Sequence, residues 1–378
     1  MGVSRREFLK KAGEGFLRQA LLPGFLITLF KASRACGEKR AEILREALHY
    51  QKLPQGRVRC HLCFRGCEIF PGRRGFCRNR ENWNGTLYSI AYGKAAALQI
   101  DPIEKEPSFH MIPGTQIFCT ATASCNFRCK FCHNWHLSQK GVEEVPYVTV
   151  RPEEIVRKAI EYRCETVSFT YSEPTVFYEY MLDIVRIAKE KGLKTLYHTN
   201  GSIRKEPLLA LLPYMDAVTV DLKAFTERFY SDISSSELEP VLQTLKTIRS
   251  YGRHLEIVNL LIPTLNDDPA DIQRMCHWIR NHLGKEIPLH LNRFFPNYKL
   301  THLPPTPIET LERAHRIAKE AGLEYVYIGN VPGHEKNSTF CPRCQKKIIH
   351  RTHFSVTAIE IRNGKCRFCG YPIAGIWA

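Results

Sequence analysis

The chain has 378 residues, 44% of them hydrophobic, which suffices to bury a full core and to build more than one domain. Its formal charge of +16 does not by itself point to nucleic acid: 13 Lys and Arg against 5 Asp and Glu fall in residues 1–60, so half the excess sits in the first sixth, and no recognition motif accompanies it. Fifteen cysteines, eleven of them in tight CxxC-type groups, exclude the spread disulfide framework of a small secreted domain and call for reduced thiols on metals.

Residues 1–35 read as a leader. Ser4-Arg5-Arg6-Glu7-Phe8-Leu9-Lys10 resembles the twin-arginine (Tat) export consensus. An apolar run over 20–30 follows, too short to span a bilayer, and then the small-x-small site Ser33-Arg34-Ala35. The competing reading is a basic amphipathic N-terminal helix. A cluster loaded in the cytoplasm is compatible with Tat, which moves folded proteins. The expectation is cytoplasmic maturation and function, with Tat-dependent export or membrane association as the alternative.

A cysteine-rich module occupies 36–110. Cys60, Cys63, Cys67 and Cys77 form C-x₂-C-x₃-C-x₉-C, four thiolates that zinc or a second iron–sulfur cluster would satisfy. The sparse apolar surroundings favour zinc slightly. Asp101-Pro102 and Glu106-Pro107 mark the following linker.

Over 111–335 short β-branched runs alternate with helical patterns. Strands are expected at 116–122, 166–171, 194–199, 217–222, 254–262, 288–294 and 325–330, and helices at 152–163, 175–191, 238–251, 269–283 and 307–321. Pro152, Pro269 and Pro307 suit first turns; Gly192, Gly252, Gly284 and Gly322 suit helix ends. This rhythm means parallel strands with right-handed crossovers, an α/β fold built as an open, partial (βα)6 barrel with one further strand. Over 338–378, Cys341-x₂-Cys344 and Cys366-x₂-Cys369 flank a β-rich stretch, the pattern of a zinc ribbon too short to fold by burial alone. Cys119 and Cys164, in or beside apolar stretches, read as buried packing.

The chemistry concentrates in Cys125-x₃-Cys129-x₂-Cys132, directly after the first barrel strand, where a parallel barrel presents its carboxyl ends and places its active sites. Three thiolates can hold three irons of a cubane and leave the fourth open to substrate. S-adenosylmethionine (SAM) can fill that position through its amino and carboxylate groups. The alternative is a Cys₃His zinc knuckle with His133 or His136 as fourth ligand, which the barrel context disfavours.

CxxxCxxC after strand one of a partial barrel resembles the radical SAM superfamily, and residues 125–135 are similar to its pyruvate formate-lyase-activase branch. The resemblance implies a [4Fe–4S] cluster on Cys125, Cys129 and Cys132 that cleaves SAM to a 5′-deoxyadenosyl radical, fed by a low-potential donor such as ferredoxin or flavodoxin. Tyr171-Ser172-Glu173 stands where the superfamily usually has Gly-Gly-Glu, so Glu173 would accept from the SAM ammonium, or equally serve as an acid at a helix start. Phe131 and Ser172 would contact SAM as well, and Thr199-Asn200-Gly201 resembles ribose-side contacts. Asp221 and Lys223, two apart and so on one face of their strand, match an Asp-x-Lys of the activases, either as a site pair or as a structural salt bridge. His290 matches an inward histidine of that branch, or is a satisfied core histidine.

Cys60–Cys77, Tyr92-Gly93-Lys94-Ala95, Asp101–Lys105, His290–Pro296, Ile328–His334 and Cys366–Trp377 together resemble the radical SAM member of the AmmeMemoRadiSam system. That resemblance implies Memo-like and AMMECR-like partner proteins. An open barrel and two metal-pinned modules favour a macromolecular or partner-delivered substrate; the competing view is that the modules only cover the barrel. Two other classes stay in play, an iron–sulfur electron-transfer protein and a zinc-ribbon adaptor.

Overall fold

The computed structural model describes residues 44–377. The leader-like segment 1–35 and Cys36 lie outside the described residues. Among those described, no helix is long and apolar enough to cross a membrane.

The central sheet has eight strands: β1 (Ala97–Pro102), β2 (Gln116–Ala121), β3 (Thr166–Phe169), β4 (Lys194–Thr199), β5 (Ala217–Asp221), β6 (His254–Leu261), β7 (Leu289–Arg293) and β8 (Val326–Gly329). They lie side by side in chain order, so the sheet is open with β1 and β8 at its edges. Strands β2 to β8 run parallel. Each strand from β2 to β7 is followed by one main helix before the next: α1 (Pro152–Glu161), α2 (Tyr178–Glu190), α3 (Lys205–Leu211), α4 (Glu239–Tyr251), α5 (Pro269–His282) and α6 (Ile308–Glu320), with short helical turns at Trp135–Ser138 and Glu227–Phe229 besides. Six βα units and a closing strand form the open α/β barrel.

The local causes are readable. All four residues of β3 are buried, as expected for a parallel strand covered on both faces. Helix α1 starts on Pro152, carries Glu153 and Glu154 in its first turn, and turns Ile155, Val156 and Ala159 inward. Burying Ile155 and Val156 contributes about 1.5–3 kcal/mol each. Asp268 caps α5 by accepting from the amides of Ala270 and Asp271, and α4 ends on Gly252 at φ +80°. Pro307 sits one position earlier than expected, as the N-cap of α6 rather than inside its first turn. Helix α3, absent from the sequence reading, is only seven residues long with Pro207 inside it, so it shows no 3.6-residue period.

The sequence places a module boundary near 110, but β1, at 97–102, belongs to the barrel sheet. It pairs antiparallel with β2, from Ala97 opposite Ala121 to Pro102 opposite Gln116. The sheet is therefore mixed. Ahead of β1, a small antiparallel sheet (Tyr50–Lys52, Val58–Cys60, Glu68–Ile69) and a hairpin (Arg80–Trp83 with Thr86–Ser89) carry the first four grouped cysteines. This segment is more regular than its sequence suggests. Arg80 and Glu179 form a fully buried ion pair that ties it to α2.

The C-terminal segment contributes a hairpin, β9 (Lys347–Thr352) and β10 (Ser355–Ile359). Its buried face packs Ile348 and Ile373 with Tyr325 and Tyr327 of the barrel end. Buried Arg351 faces buried Glu104 and donates to the carbonyl of Phe109. The amide of Ile112 donates to the carbonyl of Ile376, and the amide of Ile376 to that of His110. Both flanking modules are thus packed on the barrel.

Candidate active site

The loop after β2 is held at both ends before its cysteines are considered. Ser124 is fully buried at φ +78°, and its hydroxyl donates to the carbonyl of Cys77. The amides of Arg128 and Lys130 donate to Ser234 and Ile233, each at 2.9 Å. The Arg128 guanidinium folds back onto the carbonyls of Cys125 and Phe127. Asn126 joins the loop to the segment just after β4: its Oδ1 accepts from Asn200 Nδ2 at 2.7 Å, and its own Nδ2 donates to the carbonyl of Ser202.

Cys125, Cys129 and Cys132 emerge from this loop into one cavity of about 660 Å³ at the carboxyl ends of the strands. Small-molecule sites span about 300–1,000 Å³. Cys125 and Cys129 are buried and Cys132 is partly so. Burial pushes the Cys129 thiol up to about 11 and that of Cys125 well above its ordinary value. Such thiols ionise when a metal displaces the proton.

Zinc in a tetrahedral thiolate shell holds its sulfurs about 3.8 Å apart, given Zn–S bonds of about 2.3 Å. Among the described residues, one group of three or more His, Cys, Asp or Glu ligand atoms closes to within 4.8 Å, and it is Cys341, Cys344, Cys366 and Cys369. Cys125, Cys129 and Cys132 are spread wider than a single-ion shell, with or without His133, which lines the same cavity. Three soft donors around a larger space, without a fourth, fit an iron–sulfur cube and not a zinc knuckle.

Glu173, 1% exposed, lines the same cavity. Its Oε1 accepts from the amide and hydroxyl of Thr175 and the hydroxyl of Thr199; its Oε2 accepts from the amide of Asn200 at 2.7 Å. It caps the turn Pro174–Phe177, so the helix-start role is real. Burial raises its pKa despite these four donors, leaving a charge that a bound cation would balance. Oε2 carries one donor and retains room for another. Tyr171 takes φ +68°, the left-handed backbone that glycine favours. Its hydroxyl lies 2.8 Å from Asp101 Oδ2 and within hydrogen-bonding reach of Gln99, and its one proton can be given to either. Ser172 donates to the carbonyl of Thr122, and Phe131, Thr199 and Asn200 line the cavity with it. Gly201, at φ +75°, has no room for a side chain: a Cβ would lie 2.9 Å from both Val220 and Val241.

Asp221 and Lys223 both face the cavity and pair at 3.0 Å, so the salt bridge and the site position coincide. Burial disfavours the Asp221 charge, but Lys223 and His198 outweigh it and hold the carboxyl well below its ordinary value. His198 was not singled out by its sequence context. It lies on β4 with Nε2 3.3 Å from Asp221 Oδ1. Burial opposes its charged form, yet Asp221 and then Glu106 outweigh burial and raise its pKa. A raised histidine pKa stabilises the fold fully below the unfolded value of about 6.5, and that contribution is lost as pH rises through the folded value. Wild type is therefore expected to lose more thermal stability between pH 6 and pH 9 than His198→Gln. Parallel melting curves at the two pH values check this, and equal losses would remove His198 from the account.

Glu106 was likewise missed as a site residue. It accepts from Cys119 Sγ at 3.1 Å and from Ser168 in the cavity floor. The sequence marked Glu106-Pro107 only as a linker beside the Asp101–Lys105 stretch, and Asp101 and Lys105 also line the cavity. The far wall comes from Asn292 to Phe295, Asn330, and His353 with Phe354 at the tip of the β9–β10 hairpin.

His290 is not brought to this cavity. It is 1% exposed, with Nε2 2.7 Å from Glu256 Oε2. Glu256 also accepts from the amides of Phe109 and His110 and from Ser108. This knot ties the linker to β6 and β7, which is the satisfied-core reading of the histidine. Cys119 and Cys164 are buried.

The sequence profile of the Radical SAM superfamily matches residues 120–278, the stretch that carries the three thiols, Glu173 and Asp221. An uncharacterized protein of Methanocaldococcus jannaschii is 49% identical over 332 residues, 87% of this chain and 99% of that protein. Pyruvate formate-lyase 1-activating enzyme of Escherichia coli is 26% identical over 236 residues, 57% of this chain and 93% of the enzyme. The chain belongs to the radical SAM superfamily. It is an enzyme of the radical SAM type, a family that works with a [4Fe–4S] cluster and SAM. Among solved structures, a radical SAM methyltransferase from Sphaerobacter thermophilus is 16% identical with a TM-score of 0.45, covering 76% of this chain and 78% of that one.

Proposed function

We propose that this radical SAM enzyme reductively cleaves SAM at Cys125, Cys129 and Cys132 and abstracts hydrogen from a protein or partner-delivered substrate. The observation that supports it most is one cavity lined by both the three thiols and buried Glu173. When bound, the cluster supplies one electron that splits a carbon–sulfur bond of SAM, giving methionine and the 5′-deoxyadenosyl radical. The protein's part is positional. Glu173 Oε2 accepts from the SAM ammonium, with Thr175, Thr199 and Asn200 fixing its orientation. Asp221, held charged by Lys223 and His198, presents a fixed polar wall where substrate meets cofactor.

The motifs at Cys60–Cys77, Asp101–Lys105, Ile328–His334 and Cys366–Trp377 support placing the enzyme in the AmmeMemoRadiSam branch, with Memo-like and AMMECR-like proteins as partners. Anaerobically reconstituted protein with dithionite is expected to form 5′-deoxyadenosine, with deuterium entering it from a labelled protein partner. Absence of 5′-deoxyadenosine from a cluster-loaded sample would overturn the cleavage assignment. Label arriving only from a free metabolite would overturn the protein-delivered substrate alone.

The C-terminal four thiols are read as a zinc ribbon, with Cys341 and Cys369 sulfurs 3.5 Å apart and Cys344 and Cys366 sulfurs 3.8 Å apart. Cys344→Ser is expected to lose about one zinc per chain with iron content unchanged, as read by elemental analysis. Retained zinc would disprove that assignment.

A further inference from the structure

Cys60, Cys63, Cys67 and Cys77 surround a second, smaller cavity against the outside of the cluster loop. The sparse apolar sequence there suggested zinc, but the tertiary structure supplies the missing shield: Leu62 and Ile69 from the module and Val176 from the barrel close over it, each 2% exposed. The four sulfurs do not form a single-ion shell, because the Cys341 group alone meets the 4.8 Å limit among the described residues. The space between them is kept open. Gly75 lines it, and a Cβ there would press on Ile69 at 3.2 Å and reach within 3.7 Å of Cys67 Sγ.

The second observation is Arg80, 1% exposed on the wall of this cavity. One of its terminal nitrogens lies 3.6 Å from Cys60 Sγ, while its Nε is buried without a partner. Glu179 balances the Arg80 charge, and the spare Nε donor matches a group that carries acceptor sulfurs of its own.

We infer that Cys60, Cys63, Cys67 and Cys77 bind a second [4Fe–4S] cluster that relays electrons to the cluster on Cys125, Cys129 and Cys132. The relay rests on the radical SAM reading above; the second cluster does not. Residues next to one another line the two cavities. Cys125 lines one and Asn126 the other; Glu173 lines one and its donor Thr175 the other. The carbonyl of Cys77 accepts from Ser124, which is bonded to Cys125, so one hydrogen bond and a short run of backbone join ligand to ligand. Arg65 reinforces this join by donating to the carbonyl of Asn126 at 2.8 Å. Cys63, Cys67 and Cys77 are half-buried whereas Cys125 and Cys129 are buried, so the module is the outer of the two sites. In the step proposed, a one-electron donor protein carrying a flavin or iron–sulfur centre is oxidised by one electron. The module cluster takes that electron and passes it to the core cluster, returning to its oxidised state with no bond or proton change.

The test uses the full chain reconstituted anaerobically. In Cys125→Ala/Cys129→Ala/Cys132→Ala, about half the iron and sulfide should remain, about four of each per chain, with a reduced-state EPR signal that SAM does not perturb. An iron-free variant holding a second zinc would overturn the second cluster and leave SAM cleavage by the wild type standing. For the relay, wild type is mixed with reduced flavodoxin and frozen at intervals. The SAM-insensitive EPR signal should rise first and decay as the SAM-sensitive one grows. The reverse order, or two signals rising together, would overturn the relay while leaving both clusters in place.

Discussion

Replacing Cys125, Cys129 and Cys132 together by alanine is expected to reduce SAM cleavage to background, a fall of at least about 10³-fold given that enzymic accelerations run to ~10⁶ or more. The fold should survive. Each change removes one sulfur from a loop otherwise fixed by Ser124, Asn126, Arg128 and the amides of Arg128 and Lys130. The loss of burial is worth about 1 kcal/mol per site on the scale of a buried methylene. Zinc on the C-terminal thiols should be unaffected, since those residues lie in a separate buried cluster with Tyr325 and Tyr327. The measurement is 5′-deoxyadenosine by chromatography beside elemental analysis and a melting curve. Cleavage at wild-type rates in a folded triple variant would end the radical SAM assignment of these three residues.

Glu173 is the second large effect, and its geometry separates two consequences. Glu173→Gln keeps the size and one acceptor oxygen but removes the charge facing the SAM ammonium. A charge-assisted hydrogen bond contributes roughly 1.5–3 kcal/mol, so SAM affinity should fall about 10- to 100-fold, with the clusters retained. Glu173→Ala also strands the donors of Thr175, Thr199 and Asn200 in a buried site. At about 1–3 kcal/mol for a buried group left without its partner, this variant should lose on the order of 3–5 kcal/mol of stability. Calorimetric binding of SAM to the glutamine variant and denaturant unfolding of both variants check the two effects. Unchanged affinity in the glutamine variant would reduce Glu173 to the helix cap that it also is.

The parts of this enzyme that repeat along the chain were legible without coordinates. Seven strands and five of six helices follow from β-branched runs and 3.6-residue periods, punctuated by Pro152, Pro269, Gly252 and Gly322, because those signals are set by neighbours within a few residues. Short spacing likewise announces Cys125, Cys129 and Cys132, since ligands to one cluster can come from a single loop. Helix α3 escaped because seven residues are too few to show a period.

Only the tertiary structure could assemble the cavity. Its walls come from the ends of strands some 20 to 50 residues apart, so His198 meets Asp221, and Glu106 lies beneath them, through sheet register rather than local pattern. The same register takes His290 away from the site, since on β7 it meets Glu256 and the linker instead. It also changes the reading of the first cysteine module, whose shield and contact with the cluster loop come from Val176, Ser124 and Asn126, residues 47 or more positions beyond Cys77. Thiol spacing names a metal site; the space left between the sulfurs, and the charge placed around it, decide which metal centre it can hold.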